Sequence, residues 1–482
     1  MKINHKFIKV LLLIFLGGCT EKLDLYPLNQ ITEGNFYKNE NEINLAVNDI
    51  YRRFSELYKA NGIPDLYGEL YSDNTYIKLT DGGNNFLEQI TDYYISSDNG
   101  RIETAWNNCY SSIYTCNNLL EILKDTDIIS ESEKEIIRGQ ITLVRALFYF
   151  NMVQVWGNIP YVDKKITPDE SYSYVNVDAN LIYENLISDL KFCKEVLPES
   201  YAGEDVGRVT RYGAAAILAK LYMTIGDNES AKTELEFIIN SGKYSLDANN
   251  DGAVNTDDIK HLFDPSTKNC KSSILEAQYL AGENTLNANH QSRYTPYSFS
   301  FHLPGQTGTF RGGGQNTPSD DLLNEFENED PRKEISYQEG YTDLSSGEFV
   351  NFPYTMKFYD PDYQYPGQNF EVIRYADILL MYAEVTNDPQ YLNQVRARAG
   401  LSAYGSTEYP SETYSSLDLA IEHERRVELC FEFHRFFDLK RTGRALEVMS
   451  AKGYDIDQNK LLFPIPLNTI DINPDITQNP GY

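Results

Sequence analysis

The chain has 482 residues, with 42 Lys+Arg against 71 Asp+Glu and a formal charge of −29. A field of that sign opposes binding to nucleic acid or to an anionic membrane surface, and a strongly anionic ligand would need a local basic patch. Aromatics make up 13% of the residues, 37 Tyr and 23 Phe with only 2 Trp, enough to furnish a large core, and past residue 18 the chain is too polar for a membrane span.

Lys2, Lys6 and Lys9 precede an apolar run that stops at Gly17-Gly18-Cys19. The run is about half the length of a membrane-crossing helix. A positive start, a short apolar core and small residues at its end describe a secretory leader. Its last four residues, Leu16-Gly17-Gly18-Cys19, resemble a bacterial lipobox, in which cleavage leaves Cys19 as a lipid-modified N-terminus. The alternative is an ordinary signal peptide with a chance cysteine. Several acyl chains on Cys19 would supply the two or more that stable anchoring takes. Residues 1–18 therefore read as the leader, 19–34 as a lipidated tether and 35–482 as one domain, since no linker or low-complexity tract divides it.

Amphipathic helices dominate the first half. In the stretch 39–58, Ile43, Val47, Ile50, Phe54 and Leu57 fall on one helical face. A second helix carries Ile137, Ile141, Val144 and Phe148 and stops at Gly157, with Pro160 beyond. Between 211 and 241 lies a helix pair: Ala215, Leu218, Ala219 and Tyr222 line one member, Ala231, Leu235 and Ile238 the other, and Gly226-Asp227-Asn228 turns the chain. Small residues at such a crossing let helices approach closely, and the layout resembles a tetratricopeptide repeat. From about 245 to 370, Gly, Pro, Asn and Tyr replace helical periodicity, predicting short strands and long loops. Helix returns from about 371 to 445, including one run over 415–443. The fold class is mainly α: a tetratricopeptide-like helix-pair scaffold (about 35–244 and 371–445) with a loop-rich region carrying short strands.

The five cysteines past Cys19 (Cys109, Cys116, Cys193, Cys270, Cys430) show no metal-type spacing. Cys109 and Cys116 lie on one predicted helix with a rise of about 10 Å between them, too far for a disulfide. Buried free thiols are the plainer reading.

The order "FYKNENEINLAVNDIY", "RALFYFNMVQVWGNIPYV", "RYGAAAILAKLYM", "IRYADILLMYAEV", "VRARAGL", "ERRVELCFEFHRFFDLKRTG" and the ending "LFPIPLNTIDINPDITQNPGY" resembles the SusD/RagB family across the whole mature chain. One departure is visible. Many relatives have Phe-Glu-Gly where this chain has Phe431-Glu432-Phe433, followed by His434-Arg435. The resemblance implies a non-catalytic outer-membrane lipoprotein, held at the cell surface through Cys19 and built on four tetratricopeptide-like helix pairs. It also implies a partner, a SusC-like TonB-dependent transporter, and a captured nutrient, usually an oligosaccharide or, in RagB-like members, a peptide. A surface glycoside hydrolase and a protein-binding helical-repeat scaffold are the readings from other classes.

Sugar recognition needs flat aromatic faces for the C–H side of a pyranose, flanked by amides or charged groups for its hydroxyls. Two loop stretches have that composition. One carries Asn74, Tyr76, Asn84, Asn85, Phe86, Tyr93 and Tyr94; the other carries Arg293, Tyr294, Tyr297, Phe299, Phe301 and His302. For either, the plainer reading is aromatic filler between loop and scaffold. Trp106 and Trp156 sit in helical patterns and read as core.

"DANNDGAVNTDD" carries the oxygen-ligand order of a twelve-residue calcium loop. Asp247, Asn249 and Asp251 stand at positions 1, 3 and 5, Gly252 at 6, the Ala253 carbonyl at 7, Asn255 at 9 and Asp258 at 12. An Asp at 12 resembles a dockerin-type loop, and a structural Ca2+ is the expected cofactor; a polar turn is the alternative. No HExxH, GxSxG or P-loop occurs. His423 and His434 fall on one predicted helix with Glu424, Glu428 and Arg435, which reads as charge-paired surface, and Arg374, Asp377 and Glu384 read as a helix-internal polar network.

Overall fold

The computed structural model describes residues 36–78, 85–283, 285–306, 308, 311–362 and 364–482. Cys19, the tether 19–34 and Asn84 lie outside the described residues. The principal helices are α1 (Glu40–Leu57), α2 (Gly100–Asp125), α3 (Glu131–Trp156), α4 (Ala179–Val196), α5 (Arg211–Ile225) and α6 (Asn228–Ile239). They continue with α7 (Thr256–Leu262), α8 (His290–Tyr294), α9 (Tyr375–Thr386), α10 (Pro389–Arg398), α11 (Leu417–Glu428) and α12 (Arg435–Arg441). Among the described residues there are also eight short strands: β1 (Thr75–Tyr76), β2 (Ile159–Pro160), β3 (Asn176–Val177), β4 (Ser273–Ala277), β5 (Thr317–Pro318), β6 (Tyr337–Thr342), β7 (Phe349–Thr355) and β8 (Phe370–Arg374). They form four antiparallel pairs, β1–β5, β2–β3, β4–β8 and β6–β7.

Contacts divide the chain between Ala46 and Val47, inside α1. In the first unit Asn39 caps α1: its Oδ1 accepts the Glu42 amide at 3.0 Å, and the Glu42 carboxylate accepts the Lys38 amide at 2.6 Å. All that follows belongs to the second unit, 47–482.

Side chains mark the helix ends. Ser130 and Glu133 form a capping box that starts α3, and Gly157, at φ 71°, stops it. Gly226, at φ 81°, ends α5 in the left-handed conformation, and Asp227 caps α6 at once, which makes the tight helix pair. The residues expected to line that pair are all buried. α3 differs from the amphipathic expectation. Every residue from Gly139 to Trp156 is buried, because α2 packs on one side of the helix and α4 on the other. At the α3–α4 crossing a Cβ on Gly139 would stand 2.6 Å from Val196 Cγ2, so a glycine permits the approach.

Each helix from α2 to α6 packs on the next, and α9 then packs on α6 as though nothing intervened. Leu246, Leu379, Leu380, Leu392, Val395 and Ile421 form the core of that junction, with Ile239 packed against it. The loop-rich region is thus an excursion between consecutive layers of a helical stack. Among the described residues no helix is long and apolar enough to cross a membrane.

Three expectations are corrected by packing. The helical run over 415–443 is two helices, because Phe431 (φ 66°) and Phe433 (φ 65°) turn left-handed between α11 and α12. Arg374, Asp377 and Glu384 do not pair with one another. Arg374 holds Glu428 and Glu432, Asp377 holds Arg425 (2.7 Å) and Lys220 (2.9 Å), and Glu384 holds Arg441, so the network ties helices together. His423 is buried, not a surface residue: it stacks on Tyr414 at 3.9 Å and its Nδ1 lies 2.7 Å from Glu325. Buried Arg332, Arg374, Arg396 and Arg398 meet Glu424, Glu428 and Glu432, so each charge has a counter-ion.

Candidate ligand-binding face

The two aromatic stretches meet through a third segment, 311–318. On one edge β5 pairs with β1 (Thr75↔Pro318, Tyr76↔Thr317), and the Lys78 amide donates to the Gly314 carbonyl at 3.3 Å. On the other edge the amides of Gly312, Gly314 and Gln315 each donate at 3.0 Å, to the carbonyls of Pro296, Thr295 and Arg293. The run Gly312-Gly313-Gly314 makes this possible. A Cβ on Gly312 would lie 2.1 Å from the Thr295 carbonyl oxygen, and one on Gly313 would lie 2.8 Å from that of Arg293. That run was the available signal for the joining strand, and the sequence reading did not use it.

The exposed part of this face is aromatic and cationic. Phe299 is 68% exposed and Tyr297 half-buried. The Arg311 guanidinium lies 3.9 Å from the Tyr297 ring centre and 4.9 Å from that of Phe299, and it donates to the Tyr297 hydroxyl. Stacking a delocalised cation on both rings holds them in place, and Phe299 keeps most of its surface open. Tyr76 is half-buried across the ladder. Beside it Lys78 Nζ donates to the Asn351 carbonyl at 2.7 Å and sits 5.0 Å from the Phe352 ring, which ties β1 to β7. Arg293 and His302 are exposed, and His302 Nδ1 lies 2.9 Å from the Gly308 carbonyl.

Four of the expected contact residues are spent on the fold. Asn74 is buried, donating to Glu69 Oε1 and accepting from Arg426 Nε, both at 3.0 Å. Tyr93 is buried at φ 61°, its hydroxyl donating to the Tyr71 carbonyl. Phe301 is fully buried against Tyr341 and Tyr354, and Tyr294 is 1% exposed. Such side chains present no face to a ligand, a correction to their assignment as contacts. Asn85, Phe86 and Tyr94 are exposed, but they belong to the short helix Asn85–Thr91 and the turn after it, packed against the start of α2. Phe86 covers Gly100, where a Cβ would stand 3.0 Å from its ring.

Two buried carboxylates lie under the ladder, on the π-helical segment Asp65–Leu70. Burial pushes Asp65 up to about 6, against the donors Asn61 and Asn316 and the neighbouring Tyr294 hydroxyl. Burial likewise pushes Glu69 up to about 7, although it accepts from Asn74 and from the Phe431 and Phe433 amides.

In the candidate calcium loop, Asp247 accepts the amides of Asp251 (3.1 Å) and Gly252 (3.0 Å), and Gly252 sits at φ 89°. Buried Asp258 accepts the amides of Ala248 (2.7 Å) and Asn255 (2.8 Å), while Asn255 caps α7. Among the described residues no three His, Cys, Asp or Glu side chains are gathered as a metal site. The loop therefore holds the motif's order with its oxygens turned to backbone amides.

Two concavities lie elsewhere. A cleft of about 560 Å³ is lined by Arg425, Arg426, Arg435, Arg441 and Arg444, each paired with a carboxylate. A groove of about 280 Å³ is lined by Trp106, Tyr110, Tyr114, Tyr172 and Ile472. Trp106 and Trp156, expected in the core, are both buried and meet edge to face at 5.0 Å.

A stack of helix pairs interrupted by a loop-rich excursion is the architecture of a SusD-like protein. Residues 34–223 match the family model described as "Starch-binding associating with outer membrane", and residues 332–482 match that of the SusD family. The chain belongs to the SusD/RagB family. It is 26% identical to SusD-like protein P25 of Formosa agariphila over the full length of both chains. Among solved structures it is similar to a laminarin-binding SusD-like protein, with a TM-score of 0.79, 25% identity, and 92% of this chain and 100% of the other covered. It shares its fold with surface glycan-binding protein A of Bacteroides thetaiotaomicron in complex with laminarihexaose, with a TM-score of 0.75, 22% identity, and 92% and 99% covered.

Proposed function

We propose that this protein captures an oligo- or polysaccharide at the outer-membrane surface and passes it, unaltered, to a SusC-like TonB-dependent transporter. The observation that carries the reading is exposed Phe299 beside half-buried Tyr297, both backed by Arg311, with Tyr76 across the same ladder. Rings held at fixed spacing on an open face suit the C–H faces of successive sugar residues, and an open site accepts a chain longer than a cavity would hold. The likeness to a relative named for laminarin binding makes a β-glucan the first ligand to test. Lipidation at Cys19 supplies the anchor, and a structural Ca2+ at Asp247–Asp258 orders the excursion.

Affinity electrophoresis against laminarin and a panel of neutral polysaccharides tests the ligand. Phe299→Ala and Tyr297→Ala should each weaken the retained glycan about fivefold to thirtyfold, equivalent to roughly 1–2 kcal/mol, without moving the melting temperature. Retention of peptides with failure on every glycan would replace this reading with the peptide-binding one. Release of shorter sugars from a retained glycan would overturn the non-catalytic reading, and failure to co-purify with a large TonB-dependent barrel would overturn the partnership.

A further inference from the structure

Two stretches more than two hundred residues apart share the ligand face, so something must set their relative position. Asp65 lies where they meet. It is 2% exposed, and among the described residues no Lys, Arg or His pairs with it. Its Oδ2 accepts the Asn61 amide at 2.6 Å, and its Oδ1 accepts from Asn316 Nδ2. Asn316 in turn accepts the Thr75 hydroxyl at 3.0 Å. Asn316 is held at φ 45°, at the point where its strand changes partner. The residue before it, Gln315, bonds to Arg293; the residue after it, Thr317, pairs with Tyr76. The buried Tyr294 hydroxyl, from α8, lies beside the same carboxylate without a hydrogen bond to it, and Glu69 is the other titratable group facing it.

A buried carboxylate without a counter-ion is costly, and here the return is directional: one side chain receives donors from the π-helical turn and from the joining strand. We propose that Asp65 is the positioning residue of the ligand face, fixing its two aromatic stretches relative to each other through Asn316 and Thr75. The inference rests on the reading that this face binds glycan.

The test exchanges the two side chains. In Asp65→Asn, an amide that accepts from the Asn61 amide turns its NH2 toward the Asn316 NH2, and relief requires Asn316 to flip and the Thr75 hydroxyl to turn to the Glu69 carbonyl, 3.3 Å away. In Asn316→Asp, two carboxylates face each other. In the double variant D65N/N316D the amide at 65 accepts from Asn61 and donates to the carboxylate at 316, which still accepts from Thr75, so the three bonds of the parent chain are kept. Each single variant should bind laminarin at least about tenfold more weakly than the parent, and the double should return to within about twofold. N316D alone should recover at pH 5, where one proton can bridge the two carboxylates, and the parent should not show that recovery. In the unliganded protein, hydrogen exchange over 75–78 and 311–318 should accelerate about tenfold in the singles, relax to the parent rate in the double, and leave α5 and α6 unchanged. Singles that match the parent, or a double no better than the worse single, would overturn the inference. A parent that ignores laminarin would count against the ligand reading alone, because the exchange pattern still decides whether Asp65 positions the face.

Discussion

At the scale of single residues, Phe433 shows how a departure visible in sequence is absorbed. Phe433, where the family pattern would place Gly, adopts φ 65°, a conformation costing a non-glycine residue roughly 1–2 kcal/mol. Two features hold it. Glu69 accepts the Phe431 and Phe433 amides at 3.0 and 3.1 Å, and the Phe433 ring stacks on Phe370 at 4.4 Å. The Phe433 carbonyl comes so close to the π-helical segment that a Cβ on Gly68 would stand 2.0 Å from it. Gly68→Ala should therefore lower stability by roughly 1–3 kcal/mol. Phe433→Gly should relieve the backbone and still lose about 2–4 kcal/mol, because the buried ring goes with it. Urea denaturation midpoints of the two variants check both. The sequence marked Phe433 as unusual but could not pair it with Gly68, 365 positions away.

At the scale of elements, the excursion between α6 and α9 carries both the ligand face and the candidate calcium loop. The loop's twelve residues already turn as the motif requires, with Gly252 left-handed and Asn255 capping α7. Binding of Ca2+ would draw the Asp247, Asp251 and Asp258 carboxylates toward one point and anchor the start of α7. At a hundredfold excess over Kd that linkage is worth about 2.7 kcal/mol. The melting temperature should rise with added CaCl2 and fall under EDTA, and Asp251→Ala should remove the difference. A melting curve indifferent to both reagents, with no calcium retained on equilibrium dialysis, would refute the site. Motif order is legible in sequence because all its donors lie within twelve residues; the gathering of those donors depends on how the surrounding loops pack.

At the scale of the whole molecule, the charge network sets the response to pH. Burial would raise Glu325 and Glu327, but hydrogen bonds from His423 with the charges of Arg426 and Arg396 hold both down to about 2, below their ordinary 4.5. Such groups bind fewer protons folded than unfolded above about pH 2, so their contribution is complete above pH 4.5 and is lost as pH falls toward 2. Asp73, Asp377 and Asp438 shift in the same direction, each against burial and through neighbouring arginines or lysines. Asp65 and Glu69 act oppositely. Their raised values give a contribution that is complete below the unfolded pKa, near 4, and is lost as pH rises through about 6 and 7. The paired carboxylates should therefore make stability fall steeply below about pH 4.5, while Asp65 and Glu69 subtract from it as pH rises through about 6 and 7. Denaturation midpoints from pH 3 to 8 check the shape, and Asp65→Asn should flatten the alkaline shoulder.

Sequence alone was enough for the helix pair around 211–241, the helix stop at Gly157, the place of the excursion and the family, because these depend on periodicity and on motifs within a few dozen residues. Loop composition, being local, also points to the aromatics that keep accessible surface on the face, Tyr76, Tyr297 and Phe299. Which aromatics are free depends on packing between distant segments. Asn74, Tyr93, Tyr294 and Phe301 have the same composition as their neighbours and are buried by partners distant in sequence. Only the tertiary structure decided that the two stretches form one face, since the joining strand at 311–318 is recruited by backbone hydrogen bonds, which carry no side-chain signature. And it turned the acidic and basic residues of α11 and α12 from an expected surface into the buried belt that ties the helical stack together.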